Sequence, residues 1–119
     1  MLRFHHVNLG VPVGEADAEE SFLVDMLGYR RVAPPPELAG RARWFEGDDG
    51  KQIHLSEDPD HRPAARAHVA IEIGGELEEL RGRLKRAGQE YSIFDGSDVQ
   101  VVFCTDPAGN RWELRGSPA

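Results

Sequence analysis

A single cysteine, Cys104, occurs in the 119 residues, so no internal disulfide can form and a reducing compartment is expected. Basic residues are outnumbered. Fourteen Lys and Arg face 21 Asp and Glu, giving a formal net charge of -7. That balance argues against a nucleic-acid partner, because binding phosphates needs clustered Lys and Arg. No apolar run approaches the length of a membrane span. Met1 runs directly into a strand-like pattern, without the basic start and apolar stretch of a signal peptide. A cytoplasmic protein with no membrane partner is therefore expected. Also missing are a phosphate-binding glycine loop, a dinucleotide fingerprint and a Ser-His-Asp order.

What is present suits one packed domain over residues 1–119: hydrophobic residues make up 39% and charged residues 29%. Residues 2–11 alternate, with Val7, Leu9 and Val11 on one face of a strand. Residues 15–26 read as a helix with Ala18, Phe22 and Met26 on its apolar side and Gly28 as its stop. Strands follow at 29–32, 41–46 and 51–56. Between them lie the proline run at 34–36 and the GDDG turn at 47–50. The polar, proline-bearing segment 57–66 reads as a linker. The pattern then restarts with a strand at 67–73, a helix marked by Leu77, Leu80, Leu84 and Ala87, strands at 90–94 and 100–105, the turn DPAGN, and a last strand at 111–115.

The restart is an internal repeat. HVNLGV from His6 parallels HVAIEI from His68, Gly28 parallels Gly88, and GKQIHL from Gly50 parallels GNRWEL from Gly109; the spacings are 62, 60 and 59 residues. The chain is thus expected to be α+β, with two β-α-β-β-β modules over about 1–56 and about 67–116.

Strand parity then sorts the polar residues. Side chains alternate between faces along a strand, so His6 opposes Val7, Leu9 and Val11, and His54 opposes Ile53 and Leu55. His68 opposes Val69, Ile71 and Ile73, and Glu113 opposes Trp112 and Leu114. Four ligand-type residues fall at repeat-equivalent positions on the faces away from the helices. Imidazole nitrogen and carboxylate oxygen suit a divalent metal: zinc, nickel, iron, cobalt or manganese. A His6, His54, His68 and Glu113 set leaves room for water or substrate on such an ion. Glu113, the only carboxylate of the four, is the candidate catalytic base. Asn8, Gln52 and Arg111 follow by parity as substrate-binding candidates, and Arg43, one strand over from His54, could meet an anionic substrate group. His5, on the face of Val7, and His61, in the linker, read as ordinary surface histidines; Cys104 reads as a small buried hydrophobe.

At these residues the sequence resembles the vicinal oxygen chelate superfamily, which includes glyoxalase I, fosfomycin-resistance transferases, bleomycin-resistance proteins, methylmalonyl-CoA epimerases and extradiol dioxygenases. HHVNLGV is similar to the opening strand of that family and DPAGNRWEL to its closing turn and strand. The resemblance implies a cupped mixed sheet with helices on its outer face, a metal held by the first and last strands of each module, and a homodimer. It implies a glyoxalase-like enzyme that chelates a small oxygen-rich substrate through two oxygens. A ferrous extradiol-type dioxygenase, with His6, His68 and Glu113 as its triad, is one alternative. A non-catalytic drug- or metabolite-binding protein is another. Glyoxalase I commonly has Glu where this sequence has His54, so that position departs from the pattern.

Overall fold

Alternating apolar residues become strands in both halves of the chain. The computed structural model describes residues 1–74, 77–95 and 99–116. They fold as β1 (His6–Val11), α1 (Ala16–Ser21, continued by a π-helical turn over Phe22–Met26), β2 (Arg30–Val32), a 3-10 turn at Pro36–Leu38, β3 (Ala42–Glu46) and β4 (Gln52–Glu57). Then come β5 (His68–Ile73), α2 (Leu77–Arg86), β6 (Tyr91–Asp95), β7 (Gln100–Thr105) and β8 (Arg111–Gly116). The chain divides into two compact units, Met1–Arg62 and Pro63–Ala119, with the division inside the polar 57–66 segment.

Each unit holds one four-stranded mixed sheet. The order is β1-β4-β3-β2 in the first and β5-β8-β7-β6 in the second. In each, the first strand runs parallel to the last, and the remaining pairs are antiparallel. This is the α+β, two-module architecture that the repeat predicts. Among the described residues no helix is long and apolar enough to cross a membrane.

In the first unit the core is Val11, Ala16, Phe22, Leu23, Phe45, Ile53 and Leu55, all buried. Each of the large apolar side chains contributes about 1.5–3 kcal/mol by leaving water. The helix buries Ala16, Glu19, Phe22 and Leu23, whereas Ala18, expected on the apolar stripe, is exposed. The buried stripe steps by threes from Ala16 through Glu19 to Phe22, so a charged residue lies on it. At its end the Leu27 N–H reaches back five residues to the Phe22 carbonyl at 3.2 Å, a wider turn that lets Phe22 and Leu23 both face inward. The 57–66 segment is partly structured: the Asp58 N–H bonds the Val11 carbonyl at 2.8 Å. His61, expected to be solvated, packs over Gly10 so closely that a Cβ there would stand 2.8 Å from its Nδ1.

The second unit buries Leu77, Leu80, Leu84, Val101, Val102, Cys104, Ala108, Trp112 and Leu114. Its DPAGN turn is built around the buried carboxylate of Asp106. Oδ1 accepts the Ala108 and Asn110 N–H groups at 3.0 and 2.9 Å, and Oδ2 accepts the Trp112 indole N–H at 2.9 Å. Gly109 closes this turn at φ +86°, a conformation side chains rarely adopt. The turn sets the register of β8 and hence the direction in which Glu113 points.

Candidate functional site

Register brings the polar residues of the first unit together. Residues paired across adjacent strands share a face, so the pairs His6–Gln52, Asn8–His54 and Trp44–His54 put all five side chains on the face opposite Ile53 and Leu55. Three rings stack across β3, β4 and β1. The His54 imidazole lies 4.0 Å from the Trp44 ring at an interplanar angle of 3°, and 3.9 Å from the His6 ring at 17°. This stack leaves His54 only 5% exposed. Burial, with smaller contributions from the nearby His6 and His5, lowers its pKa to about 4, so the ring is neutral at pH 7.

A hydrogen-bond chain fixes which nitrogen of His54 carries the proton. The Arg30 guanidinium bonds Glu46 Oε2 at 3.1 Å, and Glu46 Oε1 accepts the Gln52 amide N–H at 3.1 Å. Because that carboxylate only accepts, Gln52 must turn its oxygen to His54, whose Nε2–H donates to it at 2.8 Å. The lone pair of His54 is therefore on Nδ1. Ser56 Oγ donates to Asn8 Oδ1 at 3.0 Å on the same face. His5 Nδ1 and His6 Nδ1 share a hydrogen bond at 2.8 Å. A cavity of about 560 Å³ opens here, lined by the three histidines, Asn8, Leu38, Arg41, Trp44 and Ser56 among others.

Arg43 is not on this face. It pairs in register with Leu55, and its guanidinium is held by Asp17 at 2.7 Å and Glu20 at 2.9 Å, both on α1. These ion pairs put α1 over the Leu55 face. The expectation that Arg43 meets substrate beside His54 is corrected by this register. Trp44, which the sequence reading passed over, stands where Arg43 was expected. Pairing the hairpin on either side of GDDG would have found it, since Trp44 falls directly opposite His54.

In the second unit the matching face carries His68, Ala70, Phe103, Arg111, Glu113 and Arg115. His68 Nδ1 donates to the Arg66 carbonyl at 2.8 Å, which leaves Nε2 as the nitrogen that faces Glu113. That nitrogen stands 3.4 Å from Glu113 Oε1. The other oxygen, Oε2, accepts from the Arg115 guanidinium at 2.8 Å. Phe103 occupies the place that Trp44 has in the first unit. His68 meets its edge at 6.4 Å, and the Arg111 guanidinium lies 5.2 Å from its centre. Cys104, by contrast, pairs with Trp112 on the core side; burial, then the nearby Asp106, raises its thiol pKa to about 11.

Each unit thus brings one pair together, His6 with His54 and His68 with Glu113. Among the described residues of each unit, no three His, Cys, Asp or Glu side chains gather closely enough to hold a metal ion. The donor chemistry fits a divalent metal best at His68 and Glu113. A hydrogen bond on Nδ1 that leaves Nε2 bare is the usual setting of a ligating imidazole, and a carboxylate oxygen converges on that nitrogen. His54 offers Nδ1 alone.

No protein-family model matches the chain, and no curated protein matches it by sequence. Solved structures do. A protein assigned to the glyoxalase family of Bacillus anthracis is 28% identical, with 98% of this chain and 96% of that one covered and a TM-score of 0.87. The fosfomycin resistance protein FosX of Listeria monocytogenes is 17% identical, with 98% and 94% covered and a TM-score of 0.80. Lactoylglutathione lyase of Agrobacterium tumefaciens is 18% identical, with 98% and 95% covered and a TM-score of 0.75. These neighbours share the β-α-β-β-β repeat along nearly the full length of this chain, and the chain has the fold of the vicinal oxygen chelate superfamily, the family that its sequence resembles.

Proposed function

We propose that this protein is a glyoxalase-like, metal-dependent enzyme acting on a small oxygen-rich molecule that chelates the metal through two oxygens. The observation that carries the reading is the 3.4 Å approach of His68 Nε2 to Glu113 Oε1. His68 and Glu113 supply two donors on the second unit, and His6 and His54 are the corresponding candidates on the first. A divalent ion bound there would polarise a substrate carbonyl and favour negative charge on its oxygen.

The chain's own residues do the rest. Arg66 holds the His68 ring through its carbonyl, and Arg115 holds Glu113 by one oxygen, which leaves Oε1 to ligate or to take a proton from carbon beside the carbonyl. Asn8 and Ser56 offer hydrogen-bonding groups to substrate, and Arg111 stands beside Glu113 on β8.

Elemental analysis of purified, reconstituted protein tests the reading. Near-stoichiometric divalent metal is expected, and His68→Ala should lose most of it. Wild type and His68→Ala binding equally poorly would overturn the proposal. Screening 2-oxoaldehyde thiohemiacetals, catechols and fosfomycin with the metal found then separates the reaction types.

A further inference from the structure

The cavity on the histidine face has an uneven chemistry. Its wall is the Trp44–His54–His6 stack, and Leu38 adds apolar surface. Its cation is Arg41, which lines the cavity and is exposed. Arg41 differs from the other arginines around β2 and β3. Arg30 is bound to Glu46 and Asp48, Arg31 to Glu20, and Arg43 to Asp17 and Glu20. Among the described residues no carboxylate lies within ion-pair distance of Arg41. Glu57, the one carboxylate lining the same cavity, has Oε1 engaged by the Gly14 N–H at 3.1 Å. A guanidinium with its fork unspent, at the mouth of a cavity walled by stacked rings, selects an oxyanion. In a protein of net charge -7 it is also a local exception to the acidic field that would repel such a ligand.

We propose that Arg41 is the specificity-determining residue of this cavity, and that the ligand it takes is a small molecule bearing an oxyanion on an apolar body. The oxyanion meets the guanidinium, the body lies against Trp44 and Leu38, and a ligand hydroxyl or carbonyl can reach the Asn8–Ser56 pair. A cavity of about 560 Å³ is of the size that holds such a molecule. The inference rests on the proposal that the histidine face is the substrate face, but it does not need the metal.

Isothermal titration of chelator-treated protein tests it, with metal content measured on the same preparation. The probes are benzoate and phenyl phosphate, two sources of the oxyanion, and neutral benzamide. Benzoate, phenyl phosphate or both should bind more tightly than benzamide, and whichever binds names the anion. Arg41→Gln should weaken that binding by about 5-fold or more and abolish the preference over benzamide. Arg62→Gln, which removes an exposed charge outside the cavity, should bind as wild type does. Trp44→Leu should weaken all the probes that bind. Equal binding of benzamide and the anions by wild type, no binding of either anion, or unchanged anion binding by Arg41→Gln would each overturn the proposal. A protein that takes no metal yet shows the Arg41-dependent preference would sink the metal reading alone.

Discussion

The indole N–H of Trp112 donates to Oδ2 of Asp106 across 2.9 Å, in a place where both side chains are buried. With the Ala108 and Asn110 N–H groups on the other oxygen, one buried carboxylate satisfies three donors. Asp106→Ala removes this acceptor from all three. Hydrogen bonds to a charged group are worth about 1.5–3 kcal/mol each, but neighbours in one network do not add. We expect a loss of about 3 kcal/mol of unfolding free energy in denaturant titrations. A loss under about 1 kcal/mol would mean that the turn holds without its carboxylate.

Cys104 gives a pH dependence of known sign. Its thiol titrates near 9.0 when unperturbed and near 11 in the folded chain. Between those values the unfolded state gives up the proton and the folded state keeps it, so stability falls as pH rises from about 9 to about 11. Cys104→Ala should flatten that part of the pH–stability curve. At pH 8 the native thiol should resist iodoacetamide and react only after unfolding; fast labelling of native protein would contradict its burial.

Much of this was legible because the fold is written twice. The alternation around His6 and His68, and the glycines that end the turns before β4 and β8, give the succession of strands along the chain and the faces of the four ligand candidates. Arg43 was misread because its strand parity was not fixed against the neighbouring strand. A strand's register depends on partners far along the chain, and here Arg43 falls opposite Leu55 while Trp44 takes the histidine face. Ala18 was placed on the buried stripe for another reason: a charged residue at a buried helical position, here Glu19, is invisible to a rule that counts apolar residues. The proton placement on His54 lay beyond the sequence altogether, since it follows from a chain of side chains through Gln52 and Glu46 to Arg30.

Self-association is expected. Each four-stranded sheet ends on two edge strands, and open edges invite pairing unless they are covered. On the edge strand β6, Ile93 and Phe94 are 44% and 61% exposed. Sedimentation at micromolar concentration should give about twice the 13.2 kDa of one chain. A single species at 13.2 kDa would rule the dimer out.

Glu113 divides its work between two oxygens, and this decides what its replacement does. Oε2 is held by Arg115 at 2.8 Å, whereas Oε1 faces His68 Nε2 at 3.4 Å. Glu113→Gln keeps the size of the side chain. Because Arg115 can only donate, the amide oxygen must take the place of Oε2, and the NH₂ then turns toward His68. There it presents N–H donors to Nε2 and offers no lone pair of its own. Basicity is lost at the atom proposed to take the proton, and the neighbouring nitrogen is partly occupied. With any 2-oxo substrate that the wild type turns over, we expect kcat to fall by about 100-fold or more, the scale that loss of a general base usually shows. Measurable metal should remain, held more weakly. Full metal with near-normal turnover would assign the base to another residue. Activity confined to catechols with ferrous iron and dioxygen would replace proton transfer with the dioxygenase reading.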